Sequence, residues 1–348
     1  MTQRFLRFTE DEKAFKEEIS RVKGRIVHQF STSVFVVDLP DTTSPTNLKE
    51  STDQTTIPLD YATQLAVNAW IIYKTQGSEA PDATEGLNWD NPGFKAPLEH
   101  SATLNPPQGA VELSPDTPTS LYLTESVAVG LVLVSRDQGT ETMNDEEKTK
   151  IIQEVQAGLD WLTTIEPRSR LSFVYDIRPI TVNIVPGPYP GETDPYERFE
   201  SGWRDAALQN MGYSPGRPGY QKYVKDLQTT KGTKWAYVAF FTKYPLKHFA
   251  YAIWEKVVME YKNDNWGPNN IHRVFAHESC HIFGAVDEYG NCTCGGTNGH
   301  LGAPNNNCVN CIPPNEQQDC LMNQNTLSMC EWTRKQIGWD TRLFPSDG

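Results

Sequence analysis

The thirteen residues from Ala276 to Glu288 (AHESCHIFGAVDE) restrict the fold of this chain more than any other stretch. His277 and His281 are four apart, so on a helix they sit one above the other on one face, where both imidazoles can reach a single metal ion. The neighbouring Val274, Phe275, Ala276, Ile282 and Phe283, with Ile271 one turn earlier, require that helix to be mostly buried. Buried imidazoles need partners, and a metal ion is a good one. Gly284 can end the helix in a left-handed conformation that other residues resist. The chain then turns and can present Asp287 as a third ligand, its carboxylate oxygen being acceptable to zinc. Glu278, next to the first imidazole, is placed to handle the proton of a water at an open fourth position.

His-Glu-x-x-His is the zinc-hydrolase helix, and H-E-x-x-H-x-x-G-x-x-H is its metzincin extension, ending in aspartate in this sequence. Downstream, Cys320-Leu321-Met322-Asn323 precedes a short helix that a Ser328-x-x-Glu331 capping box would open and Gly338 would close. On these residues the chain resembles the metzincin clan of zinc metallopeptidases, in the branch with aspartate as third ligand, as in the snapalysin-type bacterial enzymes. Asp287-Glu288-Tyr289 is also similar to the residues that follow the motif in bacterial immunoglobulin-A-type metallopeptidases. The motifs cover residues 271–340; elsewhere the resemblance rests on the order of elements.

The resemblance implies one catalytic zinc held by His277, His281 and Asp287, with Glu278 as general base and Met322 in a Met-turn beneath the metal. It implies an α+β catalytic domain over 121–348. Its upper part, 121–284, would be a mixed twisted sheet with the active-site helix, and its lower part, 285–348, irregular and cysteine-rich. The activity implied is endopeptidase cleavage of a polypeptide substrate. An edge strand at His248–Trp254 would pair with extended substrate, and Asn323 to Ser328 would line the pocket for the residue after the cut. Tyr289 would stabilise an oxyanion or serve a structural role, and Glu288 is the alternative third ligand. Two other activities share the helix: a zinc hydrolase of a non-peptide amide, and a catalytically silent zinc-binding module. Glu278 argues against the second, because a structural site needs no such acid and closes its fourth position.

The net charge of −13 gives no support to nucleic-acid binding, which would want a basic stripe. No apolar run reaches the length of a membrane helix, and the chain is read as a monomer. All seven cysteines lie at or after Cys280. Cys292, Cys294, Cys308, Cys311, Cys320 and Cys330 suit disulfides, a second, structural zinc bound by the Cys-x-Cys and Cys-x-x-Cys pairs, or free thiols. Cys280 reads as a small buried core residue. The cysteine cluster and a propeptide-like N-terminal segment favour export, although Met1 to Lys23 lacks the apolar core of a signal peptide.

Residues 1–75 read as a small α+β unit, propeptide-like or accessory and weakly similar to the inhibitory propeptides of subtilisin-like proteases. It has a helix over Asp11–Val22, strands Ile26–Phe30 and Val34–Leu39, and a helix or strand over Tyr61–Tyr73. Residues 76–120, rich in Pro, Gly, Asn, Ser and Thr, read as a linker. No cysteine precedes Cys280, so zymogen latency would need a carboxylate such as Asp90 or Glu99, or His100, over the metal. Beyond 120, Val127–Ser135 reads as a buried strand, followed by a helix that the Asn144-x-x-Glu147 box starts and Pro167 ends. Two strands follow, Leu171–Tyr175 and Thr181–Val185. Helices then start at Asp194 and run through Tyr220, Tyr223, Val224 and Leu227. Strands Trp235–Thr242, His248–Trp254 and Lys256–Tyr261 lead into the helix with the two histidines.

Overall fold

The computed structural model describes residues 3–53, 56–76, 84–91 and 119–340. Phe and Leu between Arg residues form strand β1 (Gln3–Phe8), which composition alone conceals. Helix α1 (Glu12–Arg21) is capped by the Asp11 side chain and buries Phe15 and Ile19. Strands β2 (Arg25–Ser31) and β3 (Val34–Leu39) form a hairpin, and α2 (Tyr61–Gln76) resolves the helix-or-strand ambiguity of that segment as helix. Strand β4 (Ser126–Arg136) is the apolar run expected there, buried at every position but its two ends. Helix α3 (Asp145–Ile165) begins at the predicted capping box: Glu147 N donates to Asn144 Oδ1 at 2.8 Å and Asn144 N to Glu147 Oε2 at 2.9 Å. Ile151, Val155, Leu159 and Leu162 are all fully buried along its inner face.

Strand β5 (Ser172–Val182) is one continuous strand, not the two expected. Each of its residues pairs in parallel with β4, from Ser126↔Ser172 to Arg136↔Val182. Pro179, which lacks an amide, falls where β5 has a strand neighbour on one side only, because β2 pairs just with Phe173 and Val174. Helices α4 (Glu197–Asn210) and α5 (Gly216–Lys231) follow, then β6 (Trp235–Thr242), β7 (Ala250–Ile253), β8 (Lys256–Glu260) and α6 (Ile271–Ile282). Among the described residues, the C-terminal part has two short strands, β9 (Gly295–Asn298) and β10 (Ala303–Asn305), a 3-10 turn at Pro314–Glu316 and helix α7 (Glu331–Gln336). No Ser328 capping box forms: Cys330 is the N-cap of α7, its Sγ accepting from Thr333 N at 3.4 Å.

The sheet is mixed, with strand order β1-β3-β2-β5-β4-β6-β8-β7. Alternate side chains of β4 and β6 point to opposite faces, so the sheet carries two cores. Val127, Val129, Leu131 and Leu133 meet Ile151, Val155, Leu159, Phe275 and Cys280 from α3 and α6. Ala128, Val132 and Val134 meet Trp203, Leu208, Tyr223 and Val224 from α4 and α5. The architecture is therefore α+β, with a large mixed sheet between helical layers. Among the described residues no helix is long and apolar enough to cross a membrane.

Strands from both sides of the boundary expected at residue 75 share one sheet. β2 adds in parallel to β5 through His28↔Phe173 and Gln29↔Val174, which covers an edge that would otherwise be open. The joint is also polar. His28, fully buried, contacts Asp160 Oδ1 at 3.0 Å and Tyr175 OH at 2.9 Å, linking β2 to α3 and β5. Burial, then Arg4, holds the His28 imidazole well below its ordinary pKa, so it is neutral. Close packing also sets the place of α6. A Cβ on Gly158 would lie 2.3 Å from the His272 carbonyl oxygen, so glycine there lets α3 approach the start of α6.

Candidate metal centre

Helix α6 is buried nearly all round, from Ile271 through Cys280. Its last turn places His277 and His281 together, with their Nε2 atoms 3.0 Å apart. Gly284 ends the helix at a φ of +96°, and Ala285 N returns to Cys280 O at 3.0 Å. This turn brings Asp287 Oδ1 to 3.3 Å from both Nε2 atoms. The three donors form a nearly equilateral triangle. Nitrogen and oxygen ligands of one tetrahedral zinc lie about 3.3 Å apart, so the spacing fits a single ion. Among the described residues His277, His281 and Asp287 form one of two groups whose ligand atoms are close enough to share an ion.

Hydrogen bonds fix which ring nitrogens face inward. His277 Nδ1 bonds Leu321 O and His281 Nδ1 bonds Ala285 O, each at 2.9 Å. A carbonyl can only accept, so both Nδ1 atoms carry protons and both Nε2 lone pairs point at the centre of the triangle. Asp287 Oδ1 is buried there with no hydrogen-bond partner. Three converging lone pairs are a donor set that one cation can share. Burial would lower the His281 imidazole, but Asp287 overrides it and raises it to about 9, so a proton and a metal ion compete for the same Nε2 lone pair. Glu278 is 3 % exposed, and its Oε2 has no partner. Burial lifts its carboxyl above the ordinary range, against the pull of His277 and His281.

Two segments support the triangle. Leu321, between Cys320 and Met322, gives His277 its carbonyl partner. Met322 is fully buried, and its carbonyl accepts from Glu288 N at 2.9 Å. The second segment, residues 84–91, lies in the stretch read as a linker and was not foreseen as part of the site. Gly86 N donates to Asn325 O and Asn325 N to Leu87 O, both at 2.8 Å, so the segment lies alongside residues 323–325. Trp89 Nε1 donates to the same Leu321 carbonyl at 2.7 Å, and its ring meets His277 edge-on at 5.5 Å. A lone tryptophan in a polar stretch was the available signal. Asp90 is not among the three grouped donors, and Glu99 and His100 lie outside the described residues.

Glu288 is the alternative ligand, and the structure turns it away from the triangle. Its Oε1 accepts from Thr333 Oγ1 at 2.8 Å and Cys330 Sγ at 2.9 Å, and its Oε2 from Asn307 Nδ2 at 2.6 Å. It joins the turn after α6, the loop at 307 and the start of α7. Glu288→Ala would leave buried donors unpaired and is expected to cost about 2–3 kcal/mol, with metal content unchanged. Denaturant unfolding and metal analysis of the variant check this; metal loss without a stability loss would restore Glu288 as a ligand. Tyr289 is buried, its ring 6.3 Å from His277, and burial followed by Asp287 raises its hydroxyl pKa.

The expected edge strand is present: β7 ends the sheet and pairs antiparallel with β8 on one side only. Cys292–Cys308 and Cys294–Cys311 are disulfides, which removes the Cys-x-Cys and Cys-x-x-Cys pairs from any second zinc site. Cys280 is a buried free thiol, as expected. No protein-family model and no curated protein matches the chain.

Proposed function

We propose that the protein is a zinc-dependent endopeptidase of metzincin type, with His277, His281 and Asp287 holding the ion. The observation that carries this is the buried triangle of two Nε2 atoms and Asp287 Oδ1, with Glu278 adjacent to its first member. A bound zinc would supply Lewis acidity, polarising the scissile carbonyl and making an attacking water more acidic. The chain supplies the rest. Glu278, with its raised proton affinity and its free Oε2, takes the proton of the attacking water and returns it to the leaving amine. The Leu321 and Ala285 carbonyls hold both imidazoles in the tautomer that leaves Nε2 open. Edge strand β7, which pairs with β8 alone in the sheet, is the strand beside which an extended peptide adds. Asn323 to Ser328, following Met322, line the pocket for the residue after the cut. Tyr289 braces the centre from beside His277.

Metal analysis combined with incubation on denatured casein tests this. The expected result is one zinc per chain and cleavage that stops on chelation and resumes when zinc is restored. Cleavage by metal-free protein would overturn the proposed chemistry, and stoichiometric zinc without cleavage would favour the silent module.

A further inference from the structure

The turn that orients His277 carries two thiols that the proposed chemistry does not use. Cys320 and Cys330 are 0 % and 3 % exposed and unbridged. Leu321 N donates to Ser328 O at 2.7 Å, which closes the intervening loop at its neck. Cys330 N donates to Cys320 Sγ at 3.4 Å. The two sulfurs and the Glu288 carboxylate all lie within 4.8 Å of one another.

A second metal ion is one use for such a group. The surrounding bonds argue against it. Glu288 already has both oxygens engaged, by Thr333, Cys330 and Asn307. The group offers three side-chain ligands, where structural zinc takes four. A bridge between the sulfurs needs no further ligand. Cys292–Cys308 and Cys294–Cys311 occupy the same region, and surroundings oxidising enough to form them also act on a neighbouring thiol pair.

We propose that Cys320 and Cys330 close a third disulfide, formed during oxidative folding by exchange with a small-molecule disulfide. One cysteine thiolate attacks that disulfide, giving a mixed disulfide and one small thiol. The other cysteine thiolate displaces the second small thiol. The two cysteines lose two electrons and two protons in all, and the small-molecule disulfide is reduced to two thiols. The bridge ties the residue before Leu321 to the N-cap of α7. It thereby fences the carbonyl that holds His277 in its tautomer.

The full-length chain, reduced and unfolded, is refolded with oxidised and reduced glutathione. Its free thiols are then counted in denaturant, without reductant, and its disulfides mapped by peptide mass. One free thiol, on Cys280, and a peptide pair joining Cys320 to Cys330 are expected. Three free thiols alongside the other two bridges would overturn the proposal, as would Cys320 bonded to any other cysteine. Thiols that react only after chelation would assign the group to a metal instead and overturn it too. Protein expressed directly in an oxidising compartment gives the same count if refolding fails. In Cys330→Ser the count should rise to two, Cys280 and Cys320; a fall to none would mean that Cys320 pairs with Cys280 instead. None of these readouts depends on whether the protein hydrolyses peptides.

Discussion

Glu278→Ala is expected to lower kcat/KM for peptide hydrolysis by about 10²–10⁴-fold, the range that a positioned general base contributes, while leaving zinc at one per chain. The two halves follow from different atoms. Metal retention depends on the triangle of His277, His281 and Asp287, which Glu278 does not enter. Loss of rate depends on a carboxylate whose Oε2 is buried without a partner. The carboxylate also takes a backbone hydrogen bond from Ala252, so Glu278→Ala leaves that buried donor unpaired and is expected to cost about 1–3 kcal/mol of stability. Rate is therefore compared at equal folded fraction. Glu278→Gln keeps the volume and loses the base, and should be equally slow. Retained proteolysis in either variant, with metal content confirmed, would eliminate Glu278 as the base. Lost metal would show that the carboxylate belongs to the ion's own support.

The order of these expectations reflects what a sequence can encode. The i, i+4 spacing of His277 and His281 is a local rule, and one glycine, Gly284, sets the turn that returns Asp287. Both can be read without knowing the rest of the fold. The two strands with continuous apolar runs, β4 and β6, can be read for the same reason. Long-range pairing cannot. β2 beside β5 and Trp89 beside Leu321 join residues more than a hundred positions apart, and no periodicity announces either. Pro179 does not interrupt β5, because its missing amide matters only where a second strand lies alongside. Glu288 was ambiguous for a subtler reason. Adjacent carboxylates at 287 and 288 face opposite ways, and Thr333 and Asn307 decide which one turns from the two imidazoles. Those two residues enter the chain well after the motif.

The largest stability effect is expected at Glu200, on the opposite face of the sheet. Its side chain is fully buried in α4 and is contacted by the Arg204 guanidinium, the Lys256 ammonium and the Tyr251 hydroxyl. Arg204 and Lys256 are themselves 1 % and 2 % exposed. Burial alone would raise the Glu200 carboxyl, but Lys256 and Arg204 outweigh it and hold it below its ordinary range. Because the folded value is depressed, this carboxylate's stabilisation is full above the unfolded value and is lost as the pH falls through the folded one. Glu200→Ala leaves two buried cations. Arg204 retains Glu197 at 2.7 Å and Asp205 at 2.8 Å, but Lys256 is left with Glu197 at 3.7 Å. Breaking one partner of a buried pair costs about 3–5 kcal/mol, which for a chain of this size is a Tm drop of about 4–7 °C. Adding Lys256→Met removes the stranded charge, so the double variant should recover part of the loss instead of adding to it. Thermal unfolding of the three variants, Glu200→Ala, Lys256→Met and the pair, measures that coupling. If Glu200→Ala costs under about 1 kcal/mol, Glu197 and Asp205 neutralise the cations by themselves, and the network is not what fixes Tyr251 and β7 to α4.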